Sequence, residues 1–369
     1  MYDLLFIGLA AGGAFLLSFL LFTNPKSHNK QANRWLACFT ATFAGAMLEI
    51  FFHKLNLHHS IPVISDLMEA GRFLSAPLLY LSVLSFTSAD KKVKAIYILH
   101  FLLFAAAGLL LLPHMLTGQN VRFPNQQIAQ IVLTFFRLAL PLQTLTYWGL
   151  AYMKLTRHQH NIRKIASSTE EIDLSWLKYF LWVLAVVVLA WLNLAIFHFA
   201  PFMALTPFLY LLSVYFLAYF SLKQKEIYPF TNPALAEVEI VIAAKTEKQK
   251  RLSDSQVKIL SQKLENLMEK EKVYLDNELS LPALAEKMQI TSHELSYLIN
   301  EVYGVNFFLY ANRYRVEEAK SLLLSENFEK LNMLGIAFQA GFNSKTSFNT
   351  AFKKQAGQTP SEFVLAHRK

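Results

Sequence analysis

Ser280-Leu281-Pro282-Ala283-Leu284-Ala285-Glu286-Lys287-Met288-Gln289, a turn at Ile290-Thr291-Ser292 and then His293 to Tyr303 form the stretch that decides the fold. The same pattern returns from Leu331 to Ala340, with a turn through Gly341-Phe342-Asn343-Ser344 and a second segment from Lys345 to Ala356. Each copy predicts a short helix, a tight turn and another short helix, the outline of a helix-turn-helix. Ser280 suits an N-cap, and Pro282 falls in the first turn, where a missing N–H costs nothing. Thr291 and Glu294 have capping-box spacing, and Gly304 can end the helix in a left-handed conformation. In the second copy Gly341 supplies the turn, Ser344 or Asn343 the cap, and Gly357 the stop. Leu295, Leu298, Ile299 and Val302 share one helical face; Phe348, Ala351 and Phe352 share another. Ala285 and Ala337 are small where crossing helices approach.

With those faces buried, the opposite faces follow at 100° per residue. The first helix presents His293, Tyr297 and Asn300, flanked by Ser296. The second presents Thr346, Thr350 and Lys353, flanked by Lys345, Asn349 and Lys354. Short hydrogen-bonding side chains with cations near the end suit base edges in a major groove and the phosphates beside it. One such helix alone could be any solvated surface. Two copies at matched offsets, joined by a helix from about Asn306 to Leu324, favour double-stranded DNA as the partner.

A larger pattern joins these pieces: Leu284-Ala285 with Leu295, then Asn312-Arg313-Tyr314-Arg315-Val316-Glu317-Glu318-Ala319-Lys320 with Leu322-Leu323. After it come Ile336-Ala337, Gly341-Phe342, Phe348, Phe352-Lys353-Lys354, Gly357 and Pro360. This compound motif resembles the DNA-binding domain of AraC/XylS-type transcription regulators and covers about the last quarter of the chain. The resemblance implies two helix-turn-helix units bridged by one long helix, with both recognition helices entering adjacent major-groove segments. Tyr297 and Asn300-Glu301 stand where many members carry basic residues, and Gly335 stands where an acidic one is usual.

Composition points elsewhere for the rest. The chain has 369 residues, 54% hydrophobic, with 31 Phe and a mean hydropathy of +0.30, too apolar for an ordinary soluble protein. Cys38 is the single cysteine, which excludes an internal disulfide framework. The formal charge is +9, but from Lys223 onward 20 Lys and Arg face 18 Asp and Glu, a net of +2. Most of the excess therefore precedes the helix-turn-helix region, and net charge is no argument for DNA.

Leu4–Phe22 carries no charge and is long enough to span a bilayer; Asp3 precedes it and Lys26, Lys30 and Arg34 follow, the reverse of a signal peptide. Further spans are expected at Trp35–Phe52, Phe73–Ala89, Ala95–Leu112, Ile128–Met153, Leu177–Phe199 and Phe202–Leu222, with Ala200-Pro201 marking the last hairpin. No Lys, Arg, Asp or Glu occurs between Tyr179 and Leu222. One helix of that length would be about twice the hydrocarbon thickness, so it must fold back. The odd loops hold Lys26, Lys30, Arg34; Lys91, Lys92, Lys94; and Lys154, Arg157, Arg163, Lys164. The even loops hold only Lys54, Arg72 and Arg122. That bias places the N-terminus outside, the odd loops inside and the C-terminal domain in the cytoplasm, with the protein in the inner membrane.

Ionisable groups within spans are expensive and usually face a cavity or a partner. Glu49, Glu69, Arg72, Arg137, Asn193 and His198 all fall in the outer half under this topology and are the candidate ligand pocket. Snorkelling suffices for Glu69, Arg72 and His198; Glu49 and Arg137 are expected to be paired or pocket-lining. His53, His58 and His59 read as a solvated outer loop rather than a metal site.

The fold class is therefore all-α: a seven-span membrane helix bundle over residues 1–222, a linker over 223–252, and a cytoplasmic double helix-turn-helix domain over 253–369. That domain opens with an amphipathic helix at 253–272, followed by units at 280–304 and 331–357 around a linker helix at 306–324. The linker carries Pro229, Pro233 and mixed charge, poor in core spacing. Ser253 and Gln256 form a capping box, and Val257, Leu260, Leu264, Leu267 and Met268 form a stripe. The stripe suits either pairing with a second copy as a homodimer or packing on the DNA-binding domain. No phosphate loop, metal-ligand spacing or nucleophile motif is present, which argues against an enzyme and names no cofactor. The expected function is a membrane-bound one-component regulator that couples an outer-side or membrane-derived signal to transcription. The competing reading is a receptor or transporter-like protein whose cytoplasmic domain binds protein. Partners beyond DNA are membrane lipid and an unidentified signal.

Overall fold

Long apolar runs build the first part of the chain from helices: α1 (Tyr2–Thr23), α2 (Lys30–Lys54), α3 (Pro62–Thr87), α4 (Leu102–Thr117), α5 (Gln126–Ile162), α6 (Ser175–Ile196) and α7 (Ala200–Lys223). These belong to a computed structural model that describes residues 2–24, 28–57, 60–88, 95–119, 121–196, 200–230, 232–243, 252–325 and 331–367. The described residues are helical apart from turns and one isolated antiparallel bridge, Ala166 to Ser280. The chain divides into two units: Met1–Thr156 with Leu174–Ile227, and Arg157–Asp173 with Tyr228–Lys369.

In the first unit, six helices among the described residues are long and apolar enough to cross a membrane; the described apolar stretch of the remaining one, Ser175–Leu189, is shorter. α1 packs on α2 and α7, α2 on α3, α3 on α4, and α6 on α7. Small residues let α1 approach closely: Ala10, Ala11 and Ala14 are buried beside Ala44, Ala46 and Met47 of α2. Side-chain hydroxyls tie neighbours through backbone carbonyls, Ser18 to Ala37 at 2.8 Å and Ser82 to Ala32 at 3.0 Å. The stretch expected to be one span from Ala95 begins as a 3-10 helix over Ala95–Phe101, where His100 Nδ1 lies 2.7 Å from the Tyr147 hydroxyl. The expected break at Ala200 coincides with the start of α7, and residues 197–199 before it lie outside the described residues.

The second unit corrects the expected linker. Asn232–Ala243 is a helix, α8, with Pro233 in its first turn and Val238 and Val241 fully buried. Leu235, Val238, Val241 and Ile242 repeat at near-helical spacing, a signal that the prolines and charges on either side obscure. Then come α9 (Asp254–Glu269), α10 (Leu281–Met288), α11 (Ser292–Tyr303), α12 (Phe307–Leu324), α13 (Met333–Gln339), α14 (Lys345–Ala356) and α15 (Pro360–His367). Capping boxes close the N-termini of α9 and α11, and Gly304 and Gly357 end α11 and α14 at φ 67° and 73°. The amphipathic α9 packs on α10 and α11, burying Leu264, Leu267 and Met268, and Lys263 Nζ donates to the Met288 carbonyl at 2.7 Å.

The segment Arg157–Asp173, expected to be a plain loop, is built into this unit. The Ser167 hydroxyl donates to Leu279 O at 2.6 Å, Leu281 N donates to Ile165 O at 2.8 Å, and Phe308 N to Arg163 O at 3.1 Å. The Tyr228 hydroxyl donates to His158 Nδ1 at 3.3 Å, which leaves Nε2–H to donate to the Ile172 carbonyl at 2.8 Å. Those bonds hold a neutral imidazole in one tautomer.

Candidate nucleic-acid interface

α12 is the spine of the site, because α11, α13, α14 and α15 all pack against it. Its centre is Arg315, fully buried, which donates from Nε to Tyr274 O at 2.7 Å and from Nη2 to Asp276 O at 2.8 Å. The same guanidinium reaches the inserted loop, at 3.1 Å to the Ser167 carbonyl and 2.8 Å to its hydroxyl. Asn312 adds a bond to the Ser167 carbonyl at 3.0 Å. Burial pushes the Arg315 pKa down to about 10 while the Asp276 carboxylate opposes the shift, so the group stays cationic at neutral pH. A buried charge is tolerated here because four hydrogen bonds replace its hydration.

Gly341 locks the second helix-turn-helix onto this centre. Its φ is +86°, and a Cβ there would stand 2.5 Å from the Tyr274 carbonyl and 3.1 Å from Arg315 Nε. The turn that the sequence assigned to Gly341 is thus also a close approach of backbone to backbone. Beyond it, Phe342, Phe348, Phe352 and Phe363 stack edge to edge with centroids 5.4–5.6 Å apart, covering Val316, Ala319 and Leu323 of α12. Lys272 Nζ and the Tyr274 hydroxyl both donate to Glu318, at 2.8 and 2.9 Å. Burial would raise the Glu318 pKa, but those two donors and the Lys272 charge outweigh it and hold the carboxyl below its ordinary value.

This scaffold presents the two recognition helices differently. On α14, Lys345, Thr346, Thr350, Lys353 and Lys354 are exposed and Asn349 is half-buried. Lys345, Asn349, Thr350, Lys353 and Lys354 line an open cleft of about 640 Å³, closed on its other side by Met333 of α13 and by Thr359, Pro360 and Ser361 at the start of α15. Three lysines and two helix N-termini around one cleft make it attractive to anions. Ser344, not Asn343, caps α14, accepting from Ser347 N at 3.1 Å.

On α11, Asn300 is exposed, but His293, Ser296 and Tyr297 are only half-exposed. Both ring nitrogens of His293 are buried without a hydrogen-bond partner among the described residues. α8 packs on α11 and α10, and the Glu237 carboxylate accepts from Ser292 N at 2.8 Å. Sequence reasoning missed Glu237 by treating its helix as a linker. It missed Ser167 because nothing local in a loop sequence announces a partner 148 residues away.

Of the pocket candidates in the apolar unit, Glu49 is buried and forms an ion pair with Arg72. Glu69 and Arg137 are exposed, so Glu49 finds its partner on α3, not on α5. Among the described residues, Arg72 is the one charged residue lining an apolar cavity of about 250 Å³ among Phe39, Phe43, Met47, Tyr80, Trp148 and Tyr210. Asn193 falls on α6, with its side chain outside the described residues; His198, His58 and His59 also lie outside them. A second pair, Asp66 with His114, joins α3 to α4 and was not anticipated, although both residues sit near the ends of neighbouring apolar helices.

Residues 284–365 match the family described as "Helix-turn-helix domain". An AraC-type helix-turn-helix domain therefore forms the C-terminus of this chain. Among solved structures, the C-terminal domain of AraT, a response regulator from Geobacillus stearothermophilus, is 29% identical; the match covers 32% of this chain and 89% of that one, with a TM-score of 0.26. The C-terminal domain of the two-component response regulator YesN from Fusobacterium nucleatum is 30% identical over 30% of this chain and 99% of that one, with a TM-score of 0.25. No curated protein matches the chain.

Proposed function

We propose that this protein is a membrane-embedded transcription regulator in which seven spans, with the N-terminus outside, carry a cytoplasmic double helix-turn-helix domain to DNA. The observation that carries the reading is the lysine-lined cleft on α14, set on a domain of the AraC type. Its cations belong on phosphates and its Asn349 and Thr350 on base edges, while α11 reads the neighbouring groove segment. The span assignment rests on the apolar helices, the odd and even loop charges, and the cost of placing such surfaces in water.

The signal enters through the spans. The cavity beside Arg72 suits a small, mostly apolar ligand with one anionic or hydrogen-bonding end, and a ligand there acts only through unequal affinity for two arrangements of the helices. Output need not pass through α7 alone. The segment Arg157–Asp173 comprises the last residues of α5 and the loop that leads to α6, and its Ser167 holds the arginine at the centre of α12. Any movement of the ends of α5 or α6 therefore bears directly on the helix that spaces the two recognition helices.

The test is selection from a random double-stranded DNA pool by the full-length protein in nanodiscs, followed by affinity against salt. An enriched site, with log affinity falling linearly against log salt, is the expected result. Failure to enrich any sequence would sink the DNA reading in favour of a protein partner.

A further inference from the structure

The two recognition helices ought to be equally available if both read DNA at rest, and they are not. α14 holds its polar face open, whereas α11 has its first turn occupied. In a helix capped as α11 is, Thr291 takes the amide of Glu294, and the amide of Ser292 is left for an outside acceptor. That acceptor is Glu237 Oε2 at 2.8 Å, a carboxylate at the positive end of a helix dipole, where a DNA phosphate would otherwise bind. The side chain is not isolated. It belongs to α8, whose Val238 and Val241 are 0% and 3% exposed, so the whole helix is docked and the carboxylate is delivered by packing. At the same end of α11, His293 keeps both ring nitrogens buried and, among the described residues, unpaired, a desolvation cost that contact with a base edge would relieve.

From these observations we infer that α8 is an autoinhibitory latch: it covers the first turn of α11 through Glu237 and must be displaced before that helix can enter DNA. The inference rests on the DNA-binding reading above and adds its regulation. Docked, the latch leaves only α14 to engage, so the resting protein binds DNA through one helix-turn-helix unit. Released, it frees the Ser292 amide and His293, and the second contact forms. The latch follows α7 in the sequence after a short segment, and the phosphate and the carboxylate compete for one amide. DNA binding and latch release are therefore linked: whatever favours one favours the other by the same factor.

The experiment uses the full-length protein in nanodiscs with a site selected from a random DNA pool. Four variants are compared: Glu237→Gln, Glu237→Lys, and the matched Glu239→Gln and Glu239→Lys, since Glu239 is exposed on the same helix and changes net charge equally. Removing one charge at a helix terminus is expected to raise affinity about three- to tenfold in Glu237→Gln, and more in Glu237→Lys than in Glu239→Lys. Hydrogen exchange should show residues 232–243 losing protection when DNA binds wild type. Retained protection of α10 and α12 in each variant establishes that the domain is folded; should the Glu237 variants lose it, the exchange measurement on wild type alone decides. Unchanged affinity in folded Glu237 variants, or α8 remaining fully protected on DNA, would overturn the latch while leaving DNA binding intact. If wild type and all variants enrich no DNA, the functional reading itself falls and the latch with it.

Discussion

Replacing Ser167 with alanine tests whether a segment between two apolar helices is part of the DNA-binding fold. The Ser167 hydroxyl donates to Leu279 O at 2.6 Å and accepts from Arg315 Nη2 at 2.8 Å, with the residue fully buried. A neutral hydrogen bond contributes about 1 kcal/mol and one to a charged group about 1.5–3. Alanine keeps the Ser167 carbonyl, and Arg315 keeps Tyr274 and Asp276, so the loss should fall near 2 kcal/mol rather than at the sum. All five tryptophans lie before residue 192 and outside this unit, which rules out fluorescence as a selective probe. Hydrogen exchange resolves it: an opening free energy lower by ~2 kcal/mol speeds exchange in α10 and α12 about thirtyfold. The matching melting shift is about 4–8 °C for a unit of this size. Ser168→Ala, one residue along, is the control. If exchange in α10 and α12 changes by less than about threefold, at most ~0.7 kcal/mol, Arg157–Asp173 is not structurally part of the domain and the coupling route through it fails.

Other expectations follow from the same geometry. Lys353→Ala and Lys354→Ala should weaken binding to all DNA sequences and lower the salt slope by about one unit per phosphate contact, read from titrations at several salt concentrations. His293→Ala or Asn300→Ala should instead relax preference at particular base pairs by roughly 1–3 kcal/mol, seen by repeating site selection; a uniform loss would make α11 a positioning helix. Reporter fusions active only outside the membrane should be bright at Leu57 and Gln119 and dark at Asn29 and Asn161, and brightness at Asn161 would invert the topology. Because the folded Glu318 carboxyl is held below its ordinary value, its stabilisation is complete above the unfolded pKa and is lost as pH falls through the folded one. Urea unfolding near pH 4 against pH 7 should therefore show a smaller acid loss in Glu318→Gln than in wild type.

What the sequence made legible follows from range. Caps, glycine stops and apolar faces are local, and α10, α11, α12 and α14 fall within a residue or two of their expected ends. The apolar helices were legible in part for the same reason, since a run without charge is visible without knowing its neighbours, but α3 starts at Pro62, not at the expected Phe73, because Asp66, Glu69 and Arg72 interrupt the charge-free run. The inserted loop was not. Ser167 is an ordinary serine in a stretch with Ser168 and Thr169, and its meaning comes from Arg315 and Leu279 on other elements. α8 is an intermediate case: Pro229, Pro233 and the charges read as a linker and hide its short apolar repeat, although proline in a first helical turn is itself a start signal. Glu49 pairs with Arg72 of α3, and pairing between apolar helices depends on rotation about each helix axis, which loop charges do not encode.

The discontinuity of the DNA-binding unit changes what an isolated tail can report. A fragment beginning at Thr246 keeps both recognition helices but removes Ser167 and α8 together. Without Ser167, two of the four hydrogen bonds to Arg315 are gone and a buried guanidinium is underpaired, which weakens the spacing between the two helix-turn-helix units. Without α8, the first turn of α11 is open, which strengthens contact by that unit. The two losses act in opposite directions on affinity, so a tail that binds like the whole protein can conceal both. They separate on different axes: the first appears as faster exchange through α12, and the second as an unoccupied Ser292 amide with α12 unchanged. Only variants made one at a time in the full chain keep those effects apart.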